Sequence, residues 1–119
     1  QRVLRSPQVE KERRFTAVIP AFLALPQWGQ APDAGETVVL QGAVDCTFVE
    51  NGKLHIIDFK TDRVRDTQEL WDRYGPQIRL YGYAMEEVTG MEVGELIFYS
   101  THLDQAAARP YAREDPPGV

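Results

Sequence analysis

The sequence predicts an α/β domain in which an antiparallel meander of strands leads through a helical crossover to a final strand. Three observations carry this reading. Two β-rich segments, 38–49 and 53–60, flank Asn51-Gly52; that dipeptide suits a two-residue hairpin because both of its residues tolerate positive φ. After Asp66, apolar residues recur at three- and four-residue steps, the period of a helix. Gly90 then stops the helix, and "VGELIFYS" at 93–100 reads as the last strand.

Each element has its own justification. Residues 9–19, "VEKERRFTAVI", turn from charged to β-rich and read as a strand ending before Pro20. Residues 26–37, "PQWGQAPDAGET", carry two Pro and two Gly and read as a surface loop. Asp66 is the expected helix N-cap, and Glu69, three residues on, completes a capping box. Leu70, Tyr74, Gln77, Tyr81, Met85 and Val88 share a face that should meet the core. Gly75-Pro76 should interrupt the helix, with Pro76 opening a second segment. The domain is expected over 1–103, with a loose tail over 104–119 that ends in "DPPGV". Beginning at Gln1, without an apolar leader, the chain reads as a piece of a longer one.

Composition bounds the function. At 119 residues with 43% hydrophobic and 26% charged residues, the chain has the makings of one globular core. Its single Cys excludes an internal disulfide and a multi-cysteine zinc or iron–sulfur centre, and suits a reducing cytoplasm. The apolar run "FTAVIPAFLAL" at 15–25 is too short to span a bilayer, so no membrane role is expected. A net charge of −5 argues against holding nucleic acid by basic charge alone. No G-x-x-x-x-G-K-[ST] phosphate loop is present, so any ATP-driven motor must lie elsewhere.

The hairpin points to chemistry. With Asn51-Gly52 as a two-residue loop, Glu50 pairs with Lys53 and Val49 with Leu54. The same register brings Asp45 opposite Asp58 and Ala43 opposite Lys60. Leu54, Ile56, Asp58 and Lys60 alternate onto one face. Carboxylates that close must share a proton, hold a cation or turn into water. Oxygen donors favour Mg²⁺ or Mn²⁺, and a nearby lysine can orient a water or stabilise developing negative charge. The competing reading is a solvated Asp58–Lys60 pair at a strand end, with Asp45 exposed. Gln77 and Tyr81, four apart on the helix, either reach this site or are an edge amide and an ordinary core tyrosine. His55 and His102 are expected at the surface, and Cys46, facing away from Asp45, in the core.

Taken in order, "GAVD" at 42–45, "IIDFKTD" at 56–62 and "YGPQIRLYGYAME" at 74–86 resemble the PD-(D/E)XK nucleases of the RecB-like type. They are most similar to the C-terminal nuclease domain of AddA-type helicase–nucleases. "KERRFTAVIPA" at 11–21 resembles the E-x-x-F strand of such chains. The resemblance implies a restriction-endonuclease-like fold lacking its first helix in this chain, and a Mg²⁺-dependent deoxyribonuclease, an exonuclease, acting in double-strand-break repair. It implies Asp45 and Asp58 as metal ligands, the Phe59 carbonyl as a third, and Lys60 as the catalytic lysine. Gln77 and Tyr81 would line the site and contact DNA, with Thr61 and Asp62 in support. Glu12 matches a family position that is not catalytic. The implied partners are DNA and an AddB-like subunit, with ATP used only by a helicase part outside this chain. The alternatives are a catalytically silent module of the same fold that binds DNA or a partner subunit, and an unrelated α/β domain.

Overall fold

The computed structural model of the protein describes residues 9–23 and 36–112. Five strands form one sheet in sequence order: β1 (Glu10–Pro20), β2 (Thr37–Glu50), β3 (Lys53–Lys60), β4 (Val93–Ser100) and β5 (Gln105–Pro110). β1, β2 and β3 are an antiparallel meander; β4 lies parallel to β3, and β5 antiparallel to β4. The helix α1 (Thr67–Thr89) makes the crossover that a parallel pair requires. The expected mixed sheet is therefore present. A 3-10 turn, Ala21–Leu23, follows β1. Most of the loop expected at 26–37 lies outside the described residues.

The hairpin forms as its turn chemistry dictates. Asn51 and Gly52 take φ of 55° and 76°, and Glu50↔Lys53 through Cys46↔Ile57 pair in the register read from the sequence. Side chains of the central strand alternate between two apolar clusters. Leu54 and Ile56 face α1 with Leu96, Phe98, Leu70, Ile78 and Met85. Ile57 faces the other way with Cys46, Phe48 and Ile97.

This alternation breaks at one place in β2. Val44 belongs to the helix-side cluster and Cys46 to the opposite one, although residues two apart should share a face. Asp45 sits at the reversal, and the β1 position that would face it, Glu12, takes φ of 51°. That left-handed conformation is sparsely populated for a residue with a Cβ. It marks where both strands turn over together.

Four expectations are corrected. Residues 105–110 are not part of a loose tail but an edge strand paired with β4 from Ser100↔Gln105 to Glu95↔Pro110; short, Ala-rich and ending in Pro, this segment lacks the β-branched signature of a strand. Gly75-Pro76 does not interrupt α1, which runs unbroken through Pro76. Proline's Cδ disfavours a helical preceding residue partly through that residue's Cβ, and Gly75 has none. The buried face of α1 is centred on Leu70, Ile78 and Met85, with Trp71, Tyr83 and Ala84 also buried, whereas Gln77 and Val88 are exposed. His55 is buried rather than at the surface: β3 is covered on both faces, and the imidazole stacks on Phe48 at 4.9 Å. His102 is exposed and Cys46 buried, as expected.

The helix start is a variant of the predicted capping box. Asp66 accepts from the Glu69 N–H at 3.2 Å. The Glu69 carboxylate accepts from the Arg65 N–H at 3.0 Å, one residue earlier than the box pattern requires. Gly90, at φ of 70°, closes the helix by donating to the Glu86 carbonyl. Among the described residues, no helix is long and apolar enough to cross a membrane.

Candidate active site

The site lies where β2 and β3 part company. Their backbone pairing ends at Cys46↔Ile57, and one residue beyond it Asp45 takes over with its side chain. Asp45 Oδ2 accepts the Phe59 N–H at 2.8 Å. This contact fixes the Asp45 carboxyl against β3, beside Asp58. Lys60, at the end of β3, brings its Nζ to 3.1 Å from Asp58 Oδ2. Asp45, Asp58 and Lys60 are thus drawn together at one spot on the helix side of the sheet.

The electrostatics of Asp58 follow from this crowding. Partial burial is the largest cause pushing its carboxyl up, and a hydrogen bond with the Asp45 carboxyl adds to it. The Lys60 ammonium opposes both, and the net result is a carboxyl pushed up to about 6. Asp58 is thus held by a neighbouring carboxyl that disfavours its charge and an ammonium that favours it, and the carboxyl and its burial win.

A second layer holds the lysine. Its Nζ stands 3.9 Å over the centroid of the Tyr74 ring on α1. The Tyr74 hydroxyl donates to Asp62 Oδ2 at 2.7 Å, and Arg73 donates to the same oxygen at 3.2 Å. The hydrogen bonds from Tyr74 and Arg73 hold the Asp62 carboxyl below the usual carboxylate range, and its hydrogen bond raises the Tyr74 hydroxyl. Arg73 also reaches Glu69, which pairs with Arg65 at 2.8 Å. Asp62, given only a supporting place from the sequence, is the anchor of this layer. Tyr74 appeared only as a stripe residue, because nothing in its local spacing links it to Lys60.

Tyr81 and Gln77 differ in their placement. The Tyr81 ring packs edge-on against Phe15 at 5.1 Å, and both rings lie over Gly42. A Cβ on Gly42 would stand 2.9 Å from Phe15 Cζ and 3.0 Å from Tyr81 Cζ. The glycine of "GAVD" therefore has a packing reason. Gln77 is exposed on the helix, and no hydrogen bond joins it to the carboxylates among the described residues. Thr61 is exposed too. Phe59 shows a half-exposed ring against Tyr99 at 6.0 Å.

A separate grouping lies on the other side of the sheet. Glu50, His55 and Glu95 offer ligand atoms within 4.8 Å of one another. His55 Nδ1 is 3.0 Å from Glu95 Oε1, across the parallel β3–β4 pair. These residues share no face with Asp58, so they do not contribute to the D-x-K cluster.

Comparisons with known proteins address the family and the fold. The profile of the PD-(D/E)XK nuclease superfamily matches residues 1–116. AddA, the ATP-dependent helicase/nuclease chain of Clostridium botulinum (strain Okra / Type B1), is 35% identical over 104 residues, 87% of this chain and 8% of that one. The protein of the same name from Desulforamulus reducens is 37% identical over 103 residues, 83% of this chain and again 8% of its own length. This chain thus spans under a tenth of the relatives it matches. The crystal structure of SSO0001 superposes with a TM-score of 0.57 over 89% of this chain and 44% of the other, at 17% identity, a likeness of fold.

Proposed function

The chain belongs to the PD-(D/E)XK nuclease superfamily, and on that basis we propose that it is the metal-dependent DNA nuclease domain of an AddAB-type helicase–nuclease. The single observation that carries this proposal is the meeting of Asp45, Asp58 and Lys60 at the end of the hairpin.

The residues present fit a hard divalent cation. Asp58 is crowded by the Asp45 carboxyl, a repulsion that a cation would offset, and every donor is oxygen. Asp45 and Asp58 would hold Mg²⁺, with Mn²⁺ as a substitute. The Phe59 carbonyl is a third donor: in a strand, one residue's N–H and C=O point the same way, and the Phe59 N–H meets Asp45. When bound, the ion supplies Lewis-acid polarisation of a phosphoryl oxygen.

The chain's own groups do the rest. Lys60 presents a fixed ammonium that orients the attacking water and stabilises charge developing on the phosphate. Tyr74 and Asp62 keep that ammonium in place. Tyr81, over Gly42, and Gln77, exposed one turn earlier, would flank the DNA strand. Thr61, exposed just past β3, would have a supporting part by its place in the motif alone. Exonucleolytic processing of double-strand breaks, an AddB-like partner, an ATP-driven motor outside this chain and a cytoplasmic setting belong to the same proposal. They rest on the kinship with helicase/nuclease chains.

Retention of both carboxylates and the lysine speaks against a silent module. The test is cleavage of end-labelled DNA in Mg²⁺ by the parent helicase–nuclease carrying Asp58→Asn or Lys60→Ala. Loss of cleavage with unwinding intact supports the proposal; full cleavage by both variants would sink it.

A further inference from the structure

The flank of α1 that faces away from Tyr81 carries a pocket of different chemistry. It has a volume of about 180 Å³ and is lined by Trp71, Arg79, Leu96, Arg109, Pro110 and Tyr111, among others. Arg109 lies over the Trp71 ring with its guanidinium carbon 4.6 Å from the centroid, and the Arg79 guanidinium carbon is 5.9 Å from the same centroid. Two cations therefore share one indole. Neither has a carboxylate within ion-pair distance among the described residues; Arg109 is bound only to the amide oxygen of Gln68. In an acidic chain of net charge −5 this pairing is conspicuous. The Trp71 ring is the pocket's floor; its indole N–H is sealed from water and lies behind the wall rather than in the pocket.

Size and charge together select the ligand. At about 180 Å³ the pocket falls short of the several hundred Å³ of a drug-sized site. It suits one small anionic group. Paired guanidiniums present planar donors that match phosphate oxygens. The adjoining hollow beyond Tyr111 carries Glu86, Glu87 and Glu92 and repels an anion.

We propose that Trp71, Arg79 and Arg109 form a phosphoryl-binding pocket, distinct from the carboxylate site and on the other flank of α1. The phosphoryl group comes either from the backbone of a DNA strand or from free phosphate. The strand source rests on the nuclease reading; the pocket itself does not. Trp71 packs on Phe98 at 4.6 Å, and Phe98 packs on Tyr74 beneath Lys60, so the pocket and the carboxylate site share one aromatic wall.

The test is NMR observation of the Trp71 indole N–H in the 119-residue chain, in EDTA so that the carboxylate site plays no part. Assignment uses Trp71→Phe. Inorganic phosphate and a short oligothymidylate are titrated separately, with Arg79→Gln/Arg109→Gln as the control. The proposal expects a saturable shift of that resonance, weakened at least tenfold in the double variant, while Asp58→Asn leaves it unchanged. A shift by oligothymidylate at lower concentration than phosphate identifies the strand as the source; a shift by phosphate alone identifies the free ion. No shift with either, or an equal shift in the double variant, overturns the pocket without touching the nuclease assignment.

Discussion

The Lys60 ammonium rests 3.9 Å above the ring of Tyr74, whose hydroxyl is in turn tied to Asp62 at 2.7 Å. Ring and hydroxyl thus act on different neighbours, and two substitutions separate them. A cation over an aromatic face is worth about 0.5–2 kcal/mol. Tyr74→Leu should therefore cut kcat roughly 2- to 30-fold with little change in KM. Tyr74→Phe keeps the ring and should retain most activity while losing stability, because it leaves Asp62 with Arg73 alone. Equal loss of kcat in both would show that the ring does not position the lysine.

Asp58 makes stability depend on pH in a defined direction. Its carboxyl is raised to about 6 in the folded chain, above its ordinary value of 3.8. In that window the folded state binds the extra proton, so the metal-free chain loses this contribution as pH rises from about 4 through 6. Asp58→Asn, always neutral, should close the loss. The check is urea unfolding of both proteins across pH 4 to 8 in EDTA. Parallel curves would contradict the raised Asp58 carboxyl.

Gly42 is forced by its neighbours rather than by its backbone. Gly42→Ala places a methyl against Phe15 and Tyr81. Overpacking of this kind costs about 1–3 kcal/mol. The denaturation midpoint should fall, and the activity should fall with it as Tyr81 is displaced. An unchanged midpoint would mean that the two rings move freely.

Pro76 weakens an otherwise continuous helix. It gives no N–H to the Asp72 carbonyl, and a mid-helix proline costs about 3 kcal/mol relative to alanine, offset by less than about 1 kcal/mol through the unfolded chain. Pro76→Ala should raise the melting temperature. A fall would show that the proline shapes the helix for the site.

Much of this architecture was legible because it depends on local rules. Asn51-Gly52 sets the hairpin register, and that register alone predicts that Asp45 and Asp58 meet. Gly90 and Asp66 mark the helix ends through their caps. What escaped depends on contacts between distant segments. β5 exists because the edge of β4 needs a partner, not because "QAAARP" prefers to be strand. His55 is buried because β3 is central, a fact that alternation within β3 cannot reveal. Gln77 lies off the buried stripe because the helix turns Ile78 inward, a rotation set by packing against the sheet. The reversal at Asp45 and the left-handed Glu12 facing it have no sequence signal of their own.

A nuclease site at the end of the hairpin requires that Asp45 and Asp58 hold a cation. The most direct measurement is calorimetric titration of Mn²⁺ into the 119-residue chain at pH 6, in two buffers of different ionisation heat, with Asp45→Asn/Asp58→Asn beside it. The structure predicts binding that releases protons and disappears in the double variant. Binding that persists undiminished in that variant, pointing to Glu50, His55 and Glu95 instead, or no binding by the unmodified chain, would contradict it.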